Sequence, residues 1–218
     1  RTAALFEQVF SNWSVPHQKT QVDLPSWQPH GEDLREHITI PEKSQSDLII
    51  GTSAPAAMSE DYQVCSLGNS ILGQFGMMGR IGESVRERSG LAYYAGSSLE
   101  VGLGPSCWKV TAGVNPDNLD KALSKIKEEL RRFISEPVTQ AELSDVKQQA
   151  LGHLPLSLES NVGIVRFLLS LQRYNLSLDY LRDLPAILEA VSAEDILACA
   201  QKHWGLDRLV ITSAGRAL

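Results

Sequence analysis

The chain has 218 residues, 43% of them apolar and 21% charged, with 26 acidic against 20 basic side chains and a formal charge of −6. This composition supports a folded core and excludes a mainly disordered chain, and the dispersed negative charge lacks the basic footprint of nucleic-acid binding. The longest apolar stretches fall well short of the roughly 20 residues that cross a bilayer, so no membrane span is predicted.

At the start, Leu5, Phe6, Val9, Phe10 and Trp13 recur at helical spacing and predict an amphipathic helix over 2–13. Pro16, Pro25 and Pro29 then forbid a helix, so 16–33 is expected to be an extended linker at a domain boundary. The opening residues Arg1-Thr2-Ala3 include neither Met nor a signal-like apolar run, which suggests a piece of a longer protein. Strands are predicted over 35–40 and 45–53, paired as a hairpin around Pro41 to Ser44. Ser59 can cap a helix that buries Tyr62, Cys65, Ile71 and Leu72, before glycines at 73, 76, 79 and 82 interrupt the pattern. A short second helix is expected to end at Gly90.

A second hairpin is predicted from 91–100 and 106–114, joined by Val101-Gly102-Leu103-Gly104-Pro105. Asn115-Pro116 offers a cap and a first-turn proline to a helix with the stripe Leu119, Leu123, Ile126, Leu130 and Phe133. Thr139 with Glu142 forms a capping box, and Ser192 with Asp195 a weaker version of it. Helical patterns cover 161–174 and 178–190, and a strand closes the chain over 208–213. Strands arriving in hairpins, and helices with one apolar stripe, give an α+β domain: a mainly antiparallel sheet covered by helices on one face.

Chemistry-bearing motifs are few. Cys65, Cys107 and Cys199 lie far apart with no C-x-x-C pair and read as core thiols, suggesting neither a zinc finger nor a disulfide framework. His17, His30, His37, His153 and His203 include no pair at i, i+4 and no H-x-x-E-H, so no metal site is expected in this chain. The nucleophile motif G-x-S-x-G is absent. The glycines between 68 and 82 could cradle an anion, but no Lys-Ser or Lys-Thr follows and the segment joins two helices, so a close-packed bend is preferred. The informative stretch is Arg86 to Tyr93. Arg86 ends a helix, Gly90 stops it, and Tyr93 enters a strand, so guanidinium and phenol could meet at one sheet edge and bind a carbonyl or developing oxyanion. The same spacing also allows Arg86 to pair with Glu83 or Glu87 and Tyr93 to be an ordinary sheet residue.

Asn69-Ser70-Ile71-Leu72-Gly73 leading to Arg80, then Val85-Arg86-Glu87-Arg88-Ser89-Gly90-Leu91-Ala92-Tyr93, resemble the pitrilysin, insulin-degrading enzyme and mitochondrial processing peptidase family of zinc metallopeptidases. Residues 45–51, the Thr139 capping box, Ser157-Leu158-Glu159-Ser160 and 209–215 extend the resemblance to the end of the chain. It implies the C-terminal, non-catalytic half of a two-part peptidase. Residues 1–15 would be the last helix of the preceding catalytic half, 16–33 the interdomain linker and 34–218 the non-catalytic domain. It further implies that zinc is held by the partner half, that this chain has no peptidase activity alone, and that Arg86 and Tyr93 help to bind a peptide substrate. The expected partners are a zinc-bearing N-terminal half or partner subunit and a peptide; a homodimer is a further possibility. The rival expectations are an assembly domain with no part in proteolysis and, ranked last, an anion binder using the 68–82 glycines.

Overall fold

The computed structural model describes residues 2–14, 32–104 and 106–216. The linker prolines, His17 and His30 lie outside the described residues. The first helix, α1 (Thr2–Phe10), is shorter than its apolar stripe; Leu5, Phe6, Val9 and Phe10 are exposed, and Phe6 stacks on Phe10 at 5.7 Å.

The rest is one five-stranded sheet with helices packed against it. In chain order it runs β1 (Leu34–Thr39), β2 (Ser46–Ala54), α2 (Asp61–Gly73), α3 (Phe75–Gly82), a π-helical turn (Glu83–Arg88), β3 (Ala92–Glu100) and β4 (Ser106–Val114). Then come a 3-10 turn (Pro116–Asn118), α4 (Leu119–Ser135), α5 (Gln140–Ser157), α6 (Asn161–Arg173), α7 (Tyr180–Ala190), α8 (Ala193–His203) and β5 (Val210–Gly215). Three predicted caps act through the hydrogen bonds that the residue types supply. Asn115 accepts from the Asp117 amide, and Thr139 and Ser192 form complete capping boxes with Glu142 and Asp195.

The predicted hairpin of β3 and β4 forms, with Ala92 opposite Val114. The predicted hairpin of β1 and β2 does not. The sheet order is β1-β5-β2-β4-β3, so β5 lies between them, parallel to β1 and antiparallel to β2. Burial explains the insertion. β5 turns Ile211 and Ser213 into the core, whereas β1 leaves Leu34 and Ile38 exposed, so the better-buried strand takes the interior place and β1 becomes an edge. Lys43, in the connection, spans the junction by donating to Asp47 at 2.6 Å and to the Ala214 carbonyl at 3.3 Å.

The core lies between the helices and one sheet face. Leu48, Ile50, Trp108, Val110 and Ala112 point into it, and Trp108 stacks on Trp204 at 5.1 Å, with Phe133 a further 5.6 Å from Trp204. The cysteine reading needs two corrections. Cys65 and Cys199 are buried but bonded to each other, tying α2 to α8 across a separation of 134 residues with Cα atoms 6.2 Å apart. Cys107 is exposed, because the alternation of β4 sends Trp108 inward and Cys107 to the opposite face.

Candidate functional site

The segment from α2 to β3 positions both sequence-predicted site residues, and it is anchored by polar groups in the core. Asn69 is buried in α2; its Oδ1 accepts from the Trp108 indole at 2.9 Å and from the Ser97 hydroxyl at 2.7 Å, joining the helix to β4 and β3. Gly73, one turn later, lies so close to β3 that a Cβ there would overlap the Ser97 side chain and backbone nitrogen. Gly79 has φ +65°, and a Cβ would meet the Gly73 backbone nitrogen at 2.6 Å. Gly73 and Gly79 therefore serve close packing, whereas Gly76, at φ +60° with open space where a Cβ would be, serves the backbone turn into α3.

Arg80 fixes the far side of this segment. Its side chain is 9% exposed and donates to Glu142 through Nε at 2.6 Å and Nη2 at 2.7 Å, while the guanidinium lies 5.4 Å from the Phe133 ring centroid. Glu142 also accepts from the amide and hydroxyl of Thr139, so one carboxylate holds Arg80 and caps α5. The Arg80 bond, opposed by burial and helped by Thr139, holds that carboxyl down at about 2. Arg80 and Glu142 also line a cleft of about 300 Å³ together with Glu83 and Glu87.

Arg86 lies on the π-helical turn. The wider spacing brings residues five apart together: Ser89 donates to the Ser84 carbonyl at 2.7 Å, and Arg88 bonds Glu83 at 2.5 Å. Glu83 is thereby taken by Arg88, and Arg86 pairs with Glu87 at 3.5 Å, its side chain 34% exposed. Buried Val85 anchors the turn, and its carbonyl accepts the Leu91 amide at 3.0 Å. Gly90 ends the turn at φ +60°, the left-handed conformation expected of a helix-stop glycine.

Tyr93 is displaced from the regular ladder. Ala92 faces Val114 and Tyr94 faces Gly113, so Tyr93 is the extra residue of a β-bulge at the start of the edge strand, and it is 72% exposed. A bulge re-aims side chains and is frequent beside functional sites. The structure keeps Arg86 and Tyr93 at the same end of β3, joined by the short connection through Gly90; among the described residues, neither side chain hydrogen-bonds the other. The adjacent Tyr94 points to the sheet face opposite the helices and donates to Asp47 at 3.2 Å; Lys43 and Gln45 also donate to that carboxylate. Lys43 is the largest cause holding the Asp47 carboxyl below its ordinary value.

Sequence reasoning missed one cluster. Cys65, Cys199 and His203 bring their ligand atoms within 4.8 Å of one another, with Asp61 against His203 at 2.7 Å. The signal was present as two i, i+4 pairs, Asp61 with Cys65 and Cys199 with His203, but nothing local joins the two helices that carry them.

Comparison with known proteins agrees with this architecture. A family model described as peptidase M16 inactive domain matches residues 1–150. The probable inactive metalloprotease YmfF of Bacillus subtilis (strain 168) is 24% identical over 169 residues, which cover 77% of this chain and 39% of that protein. A solved peptidase M16 inactive domain from Pseudomonas fluorescens superposes with a TM-score of 0.87 at 27% identity, covering all of this chain and 51% of the other. A protease from Helicobacter pylori gives 0.85 at 16% identity, over 98% of this chain and 52% of the other. The chain thus spans about two fifths of the curated relative and about half of these two solved chains.

Proposed function

From its membership of the peptidase M16 family, to which this chain belongs through its inactive domain, we propose that it is the non-catalytic half of a zinc metallopeptidase, closing a peptide-binding chamber against a zinc-bearing half. The sequence contains no H-x-x-E-H, so the zinc of such an enzyme would be held by the other half. There the metal supplies an activated water near neutral pH. This chain's residues bind and orient. Arg86 offers a permanent cation with several donors and Tyr93 one hydroxyl donor, suited to a peptide carbonyl that gains negative charge during attack. The observation that carries the reading is the placement of Tyr93 as the exposed extra residue of an edge-strand bulge, one short connection from Arg86.

The experiment is peptide cleavage by the zinc-bearing half mixed with this chain. Loss of one oxyanion donor typically costs about 10²–10³ in kcat, and Tyr93→Phe and Arg86→Ala are each expected to lower kcat by about that factor without releasing the halves from each other. Unchanged rates with both variants would remove the assigned role. A second reading, an assembly domain with no part in proteolysis, draws on the Bacillus subtilis relative, a probable inactive metalloprotease. It predicts no cleavage in the mixture but stable association of the halves.

A further inference from the structure

We propose that Cys65, Cys199 and His203, with Asp61 behind them, form a soft-metal site that takes one Zn²⁺ when the bond between the two cysteines is reduced. The site lies on the α2–α8 seam and does not depend on the peptidase reading. It also departs from the sequence expectation of no metal-binding set in this chain.

Asp61 and Cys65 lie one turn apart on α2, and Cys199 and His203 one turn apart on α8, so each helix turns two ligand-type side chains to the same side. The helices pack together, and the ligand atoms of Cys65, Cys199 and His203 come within 4.8 Å of one another. Tetrahedral zinc with bonds of about 2.3 Å to sulfur and about 2.0–2.1 Å to nitrogen holds its ligand atoms roughly 3.5–3.8 Å apart. With Cα atoms 6.2 Å apart, the two sulfurs could reach that separation by side-chain rotation.

The histidine is prepared for the role. Its Nε2 lies 2.7 Å from Asp61 Oδ2, and because a carboxylate oxygen accepts, Nε2 is the donor there and Nδ1 is the ring nitrogen that Asp61 leaves unengaged. Lys202 donates to the same oxygen at 2.6 Å, a second donor on that carboxylate. A histidine that gives one N–H to a carboxylate while the other nitrogen faces the metal is the usual arrangement around protein-bound zinc. Cys65 and Cys199 are buried, whereas Asp61 and His203 reach solvent in part, which gives an ion a way in and leaves the fourth position to water.

The chemistry balances with a dithiol reductant. The reductant gives two electrons and two protons to the Cys65–Cys199 bond and becomes a disulfide, leaving two thiols. Zinc then displaces both thiol protons to solvent and binds two thiolates and Nδ1. Oxidation by a disulfide of the same class passes the two electrons of the thiolates to that oxidant, which takes two protons from solvent to become a dithiol; the Cys65–Cys199 bond re-forms and the metal is expelled.

The test uses the full chain carrying Cys107→Ser, which removes the exposed third thiol. One sample stays oxidised; the other is reduced with a phosphine, desalted without air and titrated with Co²⁺ alone, then with Zn²⁺ alone against a chromophoric chelator. The reduced sample is expected to take one ion per chain and to show thiolate-to-cobalt charge transfer with tetrahedral d–d bands; the oxidised sample is expected to show neither. Asp61→Asn keeps both thiols and is expected to weaken zinc by about 10–100-fold, with far-UV circular dichroism unchanged. The proposal is overturned by a reduced chain without the charge-transfer band, by equal binding in Cys65→Ala/Cys199→Ala, or by equal affinity in Asp61→Asn. It is equally overturned by a reduced chain that unfolds and does not refold with either metal.

Discussion

Glu142→Gln isolates the bond between α3 and α5. The wild-type carboxylate accepts from Arg80 at 2.6 and 2.7 Å and from Thr139 at 2.8 Å, and its carboxyl is lowered from 4.5 to about 2. A depression of that size corresponds to about 3 kcal/mol at neutral pH, because the folded state then holds the charged form more tightly than the unfolded chain does. Partial solvent access at the carboxylate reduces this, and glutamine retains weaker bonds, so we expect a loss of about 2 kcal/mol. That is a fall of about 1 M in urea midpoint, or about 4–8 °C in Tm for a domain of this size. The sign with pH follows from a lowered carboxyl. The contribution is fully present above about 4.5 and fades as pH falls toward about 2, because protonation ends the charge-assisted bonds. Urea unfolding of both proteins at about pH 7, 5 and 3 therefore gives a gap that narrows only at the acid end. Equal midpoints at neutral pH, or a gap that does not narrow in acid, would refute the assignment of Glu142 as the anionic partner of Arg80.

Two further substitutions test the seam between α2 and the sheet. Asn69→Ala leaves the Trp108 indole buried without its acceptor and the Ser97 hydroxyl with only the main-chain carbonyl of residue 69 at 3.5 Å; at about 1–3 kcal/mol for the stranded indole and about 1 kcal/mol for the lost hydroxyl bond, a loss of about 2–4 kcal/mol in urea unfolding is expected, and a loss under about 1 kcal/mol would count against the assignment. Gly73→Ala forces a methyl group into the backbone and side chain of Ser97, so destabilisation of about 1–3 kcal/mol is expected although alanine is the better helix former; a stabilised protein would show that α2 does not approach β3 closely enough to exclude a Cβ.

What could be read in the sequence follows the range of the interaction that decides it. The caps at Asn115, Thr139 and Ser192 were legible because a side chain bonds an amide two or three residues away, so the whole motif lies within a few letters. The β3–β4 hairpin was legible for the same reason. The placement of β5 was not, since a strand near the end of the chain competes with the local partner of β1 and wins by burial. The pairing of Cys65 with Cys199 was hidden in the same way: 134 residues separate two positions that each fit an apolar helical stripe. The sequence points to Arg86 and Tyr93 as candidates, but the bulge at Ala92-Tyr93-Tyr94 has no glycine or proline to announce it, and the π-helical turn shows only in side chains five apart.

These features together explain why the two candidate residues occupy their positions without contacts of their own to hold them. Arg86 has one loose ion pair and Tyr93 stands in solvent, so neither side chain fixes the geometry. The backbone does. Val85 is buried, its carbonyl holds the Leu91 amide, Gly90 turns the chain at φ +60°, and the bulge sets Tyr93 apart from the ladder. Behind that backbone, Asn69, Gly73 and the Arg80–Glu142 bond press α2 and α3 onto β3 and α5. Support from the main chain leaves both side chains with no part in holding the fold beyond the loose Arg86–Glu87 pair. The same division accounts for the family resemblance in this segment: its motif letters include the hidden supports Asn69, Gly73 and Arg80 as well as the two groups that reach outward.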